Sequence, residues 1–145
     1  MFKHLLLPTD GSPLSEGAVR KGIALARVLG AQITGLHVSP RFQVLTYRTD
    51  MLEETRAEDL RDSKAHADRY LEFIRTAAAA AQVPCETLCE SRDDVHQSII
   101  DVARTRGCDL IVMASHGRRG IAGVLLGSET QRVLTQSSIP VLVCR

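Results

Sequence analysis

An α/β domain built on an open, doubly wound sheet of five parallel strands is the fold this sequence predicts. Short apolar runs alternate along the chain with longer stretches of helical spacing, five of the first and four of the second. Nearly every boundary carries glycine, proline or a capping residue. The length of 145 residues suits one domain, here residues 1–145, with a single core. Right-handed crossovers between parallel strands put helices on both faces of the sheet, and 3-2-1-4-5 is the strand order expected.

The elements follow in order. Lys3 to Pro8 is an apolar run closed by proline, and Thr9-Asp10-Gly11-Ser12-Pro13 after it is a cluster of turn and cap residues, so a strand and a turn are expected. From Leu14 to Leu29 the residues Ala18, Ile23, Ala26 and Leu29 recur at helical spacing, and Gly30 marks the stop. Gln32 to Val38 alternates as a second strand, ended by Ser39-Pro40. Arg41 to Leu52 has no clean period and reads as a mobile loop, whereas Glu53 to Gln82, without Pro or Gly, reads as a long helix. Val83 to Ser91, Asp93 to Arg106, Asp109 to Ala114, Ser128 to Ser137 and Ile139 to Cys144 then read as strand, helix, strand, helix and strand.

Composition narrows the function classes. Apolar residues at 44% and charged residues at 24% are those of a folded globular chain. A formal net charge of +1 and only 3% aromatic residues argue against nucleic acid and against a membrane surface as partners. The apolar run at Phe2 to Pro8 is too short for a signal-peptide core, so a cytoplasmic location is expected. Cys85, Cys89, Cys108 and Cys144 form no Cys-x-x-Cys pair and no cluster with histidine, so neither a metal site nor a catalytic thiol is expected. Neither a P-loop nor a Gly-x-Gly-x-x-Gly after a strand is present. Ser115 lies in a weak likeness of a nucleophile elbow, but no histidine follows His116 to complete a triad in that order. A flavin site would have Thr9, Ser12 and Ser15 for its phosphate but few aromatics to stack on the ring.

In a sheet of this order the ligand crevice lies beyond the carboxyl ends of strands one and four, where the winding reverses. That directs attention to Pro8 to Ser12 and to Met113 to Ser128. The second segment, Met113-Ala114-Ser115-His116-Gly117-Arg118-Arg119-Gly120-Ile121-Ala122-Gly123-Val124-Leu125-Leu126-Gly127-Ser128, leaves a strand, runs through a glycine-rich loop and stops where a helix begins. Glycine admits close backbone approach, and a helix start offers unpaired N–H groups, a combination suited to a polyphosphate. Ser128-Glu129-Thr130-Gln131 also fits a capping box with Ser128 as N-cap, which would need no ligand. Asp10 suits hydrogen bonds from ribose hydroxyls or an adenine amine, or else the cap of the first helix. Arg118 and Arg119 offer positive charge to phosphate, Arg118 the better placed. Glu129 would repel a phosphate, so its carboxylate is expected to point outward and leave only its N–H usable. His116 has no partner that would make it a base.

In this segment Gly117, nine further residues and Gly127-Ser128 match the motif of the ATP-binding universal stress proteins, with Ala114 where that motif begins with glycine. The opening Leu7-Pro8-Thr9-Asp10-Gly11-Ser12 and the closing Ile139-Pro140-Val141-Leu142-Val143 also resemble the ends of that family, so the likeness spans essentially the whole chain. The resemblance implies that Pro8, Thr9 and Asp10 line the adenosine side with Val38 beside the adenine. Met113 and Ala114 would meet the ribose or the first phosphate. Gly117, Arg118, Gly127, Ser128, Glu129 and Thr130 would surround the phosphates. The expected function is an ATP-binding stress-response regulator, with or without Mg2+, rather than a dedicated enzyme. Slow ATP hydrolysis, a nucleotidyl-transfer enzyme of related fold and a nucleotide-free interaction module are the alternatives. The last strand would be a sheet edge, and two copies pairing through Val141, Leu142 and Val143 would form a homodimer, as the resemblance also implies.

Overall fold

The computed structural model describes residues 1–41, 49–118, 120, 123 and 125–145, with the side chains of residues 49–56 outside that description. Strand β1 (His4–Pro8), helix α1 (Pro13–Leu29), β2 (Gln32–Ser39), α2 (Thr49–Ala80), β3 (Cys85–Ser91), α3 (Val95–Thr105), β4 (Leu110–Ala114), α4 (Ser128–Gln136) and β5 (Val141–Cys144) follow one another. All neighbouring strands pair in parallel, in the order β3-β2-β1-β4-β5. The expected fold is therefore the observed one.

Position in the sheet explains composition. β1 and β4 lie inside the sheet and are buried along their whole length, which is why they read as unbroken apolar runs. Leu5 and Leu7 face one core with α1 and α2, while Leu6 faces the other with α3 and α4. Each of these leucines is fully buried, contributing about 1.5–3 kcal/mol relative to exposure. β3 and β5 form the edges and mix half-buried with exposed positions, with Cys144 at the end of β5 buried. Ser12 caps α1 by accepting a hydrogen bond from the Ser15 N–H at 3.2 Å, and Gly30 ends it at φ 63°.

Several boundaries differ from expectation, among them β5, which starts at Val141 rather than Ile139, and α3, which starts at Val95 rather than Asp93. α2 begins at Thr49 rather than Glu53, and most of the loop expected over Arg41 to Leu52 lies outside the described residues. β3 starts at Cys85 rather than Val83, because Pro84 has no N–H for a ladder and offers only its carbonyl, to the Ile33 N–H at 2.9 Å. No helix among the described residues is long and apolar enough to cross a membrane.

Candidate functional site

β1 ends in a turn whose polar atoms largely satisfy one another. The Thr9 N–H donates to the Leu36 carbonyl at 2.8 Å, while the Thr9 hydroxyl accepts from the Gly11 N–H and pairs with the Ser15 hydroxyl at 3.0 Å. Asp10 does not cap α1, since Ser12 does. Its carboxylate instead accepts the Ser12 N–H at 2.9 Å on one oxygen and the Arg118 N–H at 2.8 Å on the other. Burial pushes the Asp10 carboxyl up, but hydrogen bonds from Ser12, Arg118 and Ser15 outweigh it and hold the group below the ordinary carboxylate value. Pro8 is buried at the strand end.

β4 ends opposite, with Met113 and Ala114 both buried. The loop that follows is pinned at both ends through Ser115: its N–H donates to the Cys144 carbonyl and its carbonyl accepts the Gly127 N–H, each at 2.7 Å. Gly117 lies against the Asp10 carboxylate, with no room for a β-carbon. A β-carbon on Gly127 would stand 3.1 Å from the His116 Cα. The glycines thus serve the loop's own packing as well as any ligand. Arg119 lies outside the described residues, as do residues 121, 122 and 124.

At the start of α4 the structure corrects two expectations. Gly127, extended at φ −69° and ψ 157°, is the N-cap, and no side chain among the described residues caps this helix, so Ser128 is its first residue and not the cap of a capping box. The N–H groups of Ser128, Glu129 and Thr130 are therefore the unpaired donors of a helix start, and among the described residues none of them meets a protein acceptor. Ser128 is exposed, whereas the Thr130 hydroxyl donates to the Ala114 carbonyl at 2.9 Å and ties α4 to β4. Glu129 does not point outward. Its carboxylate accepts the His96 N–H at 2.8 Å and meets the His96 Nδ1 at 3.1 Å, because Asp94 leaves the start of α3 without a side-chain cap. Val38 is half-buried against the core that holds Leu36 and Met113.

Tyr70 and His37 were not singled out in the sequence, yet both adjoin this turn. His37 donates from Nδ1 to the Thr9 carbonyl at 2.9 Å, and its ring meets Tyr70 edge-on at 5.1 Å. The Tyr70 ring stands against Gly11, and its hydroxyl accepts from Arg118 Nη2 at 2.6 Å. Spacing along α2 marked Tyr70 only as a helical residue, and nothing local tied it to a turn 60 positions earlier. Among the described residues no group of three His, Cys, Asp or Glu side chains could hold a metal ion. His116 contacts the Ser115 hydroxyl at 3.2 Å, and among the described residues it makes no ion pair with a carboxylate.

A family model described as the universal stress protein family matches residues 1–145. Universal stress protein YxiE of Bacillus subtilis is 30% identical over 149 aligned positions, covering 100% of both chains. The solved structure of hypothetical protein MJ0577 superposes with a TM-score of 0.83 at 28% identity, over 99% of this chain and 95% of that one; the protein of that name comes from Methanocaldococcus jannaschii. At lower identity, the fold is shared with a universal stress protein in complex with cAMP (TM-score 0.73, 21%, covering 99% of this chain and 97% of that one). It is shared also with one from Archaeoglobus fulgidus in complex with dAMP (TM-score 0.67, 18%, covering 100% of this chain and 98% of that one).

Proposed function

The chain belongs to the universal stress protein family, and we propose that it is an adenine-nucleotide-binding member with ATP as its ligand. The observation that carries this reading is the start of α4: three N–H groups without an acceptor among the described residues and the exposed Ser128, at the carboxyl end of the sheet beside the switch between β1 and β4. Such a helix start favours negative charge through its dipole. Ser12 caps α1 and Glu129 serves α3, whereas α4 has no equivalent among the described residues.

In this reading Pro8, Thr9 and Asp10 border the adenosine, Asp10 as acceptor, with Val38 beside the base. Met113 and Ala114 meet the ribose or the first phosphate. Gly117, Arg118, Gly127 and Ser128 surround the phosphates, Gly127 by close approach only since its N–H is bonded to the Ser115 carbonyl, joined by the N–H groups of Glu129 and Thr130. The Thr130 hydroxyl is already given to Ala114. An accompanying Mg2+ would take its oxygens from the phosphates and water. The proposed role is regulatory, in the response to stress and in the cytoplasm; among the described residues the side-chain partner of His116 is the Ser115 hydroxyl and not a carboxylate that would orient a water-activating base. Two relatives of the same fold, solved with cAMP and with dAMP, share adenine and phosphate as ligand chemistry.

The test is chromatography of whatever nucleotide is released on denaturing the freshly purified protein, followed by calorimetric titration of the emptied chain. Adenine nucleotide in the supernatant, or saturable binding of ATP, is expected. Absence of both would overturn the reading.

A further inference from the structure

Resting on that reading, we infer that Tyr70 and Arg118 form a latch that a polyphosphate opens and adenosine does not, so that Arg118 carries the preference for nucleotide over nucleoside and its bond to Tyr70 moderates it. The Arg118 side chain spans the mouth of the β1 turn. Its Nε donates to the Asp10 carbonyl at 3.0 Å, its Nη2 donates to the Tyr70 hydroxyl at 2.6 Å, and its Cζ lies 5.3 Å from the Tyr70 ring centre. Both oxygens are neutral. Among the described residues the guanidinium makes no ion pair, and the Asp10 carboxylate is bonded to the Arg118 backbone N–H instead. The charge of Arg118 is therefore held by uncharged acceptors, which a phosphate outcompetes because it adds an opposite charge and bidentate geometry. Tyr70 is fixed in return by the edge of His37 and by Gly11, so releasing the guanidinium need not move the ring. ATP brings the anion that draws Arg118 away from Tyr70, and adenosine brings none.

The chain has no tryptophan and two tyrosines, Tyr47 and Tyr70. In a Tyr47→Phe background Tyr70 is the sole strong emitter, and its fluorescence is expected to change with ATP but not with adenosine. Tyr70→Phe keeps the ring and deletes the latch bond. Its affinity for ATP is expected to rise about tenfold or more, because the bond lost joins a charged donor to a neutral oxygen, with adenosine affinity unchanged. Arg118→Gln is expected to weaken ATP relative to adenosine and to abolish the ATP-dependent emission change. If calorimetry shows ATP bound while Tyr70 emission stays constant, or if Tyr70→Phe binds ATP equally or more weakly, the latch is wrong and the nucleotide site stands. If calorimetry shows no adenine nucleotide bound at all, both fall.

Discussion

Ser128 separates two accounts of the same residues. As an N-cap its loss would cost about 0.5–2 kcal/mol of stability. The structure makes it an exposed first residue of α4. Ser128→Ala should therefore leave unfolding within about 0.5 kcal/mol of the parent, and should weaken ATP more than adenosine, as paired chemical melts and titrations would show. The sequence signature misleads here by one position, because serine with glutamine three residues on fits a cap at Ser128 as well as a helix that starts one residue earlier at an extended glycine. Gly127→Val acts on the loop itself, since its β-carbon would crowd the His116 backbone before any ligand is present. Asp10 is one of the carboxylates that shape behaviour in acid, Asp101 and Asp109 also being held below the ordinary value. Its carboxyl lies below the unfolded value of about 3.9, so its contribution is whole above that pH and is lost as pH falls through the lower folded value. Urea melts should show stability falling below about pH 4, with a shallower fall in Asp10→Asn.

The elements were legible where burial alone dictates sequence. β1 and β4, covered on both faces, had to be continuous apolar runs, and that identified them as the strands flanking the crevice. Turn chemistry was equally plain, since Ser12, Pro13 and Gly30 stand where a helix must start and stop. What stayed hidden was contact between elements. Glu129 on α4 caps α3 from 33 residues away, and Tyr70 on α2 reaches the β1 turn; neither leaves a periodic trace. The cap carries its own prediction. Glu129→Ala leaves the His96 N–H without its acceptor, and should destabilise the chain by about 1 kcal/mol, the usual cost of a lost cap. A midpoint unchanged in urea would show that water replaces the carboxylate at no cost.

At the scale of the molecule, the open edge at β5 and the crevice at the switch point are the features that face outward. The homodimer through Val141, Leu142 and Val143 remains a proposal, and the sheet register sharpens its test. In the parallel ladder the Ile111 N–H donates to the Pro140 carbonyl at 2.9 Å, which turns the Leu142 N–H toward β4 and leaves those of Val141 and Val143 on the open edge. Val143→Pro should give a folded monomer by light scattering and circular dichroism, whereas Leu142→Pro should lose stability through a broken internal bond. A dimeric Val143→Pro would place the interface elsewhere. The central claim, that the start of α4 beside the β1 turn holds the phosphates of an adenine nucleotide, is tested most directly by following backbone amide resonances during titration with ATP. The amides of Gly117, Gly127, Ser128, Glu129 and Thr130 should shift together and saturably, with Asp10 following. Saturable shifts confined to residues away from these, or no shifts at all, would contradict it.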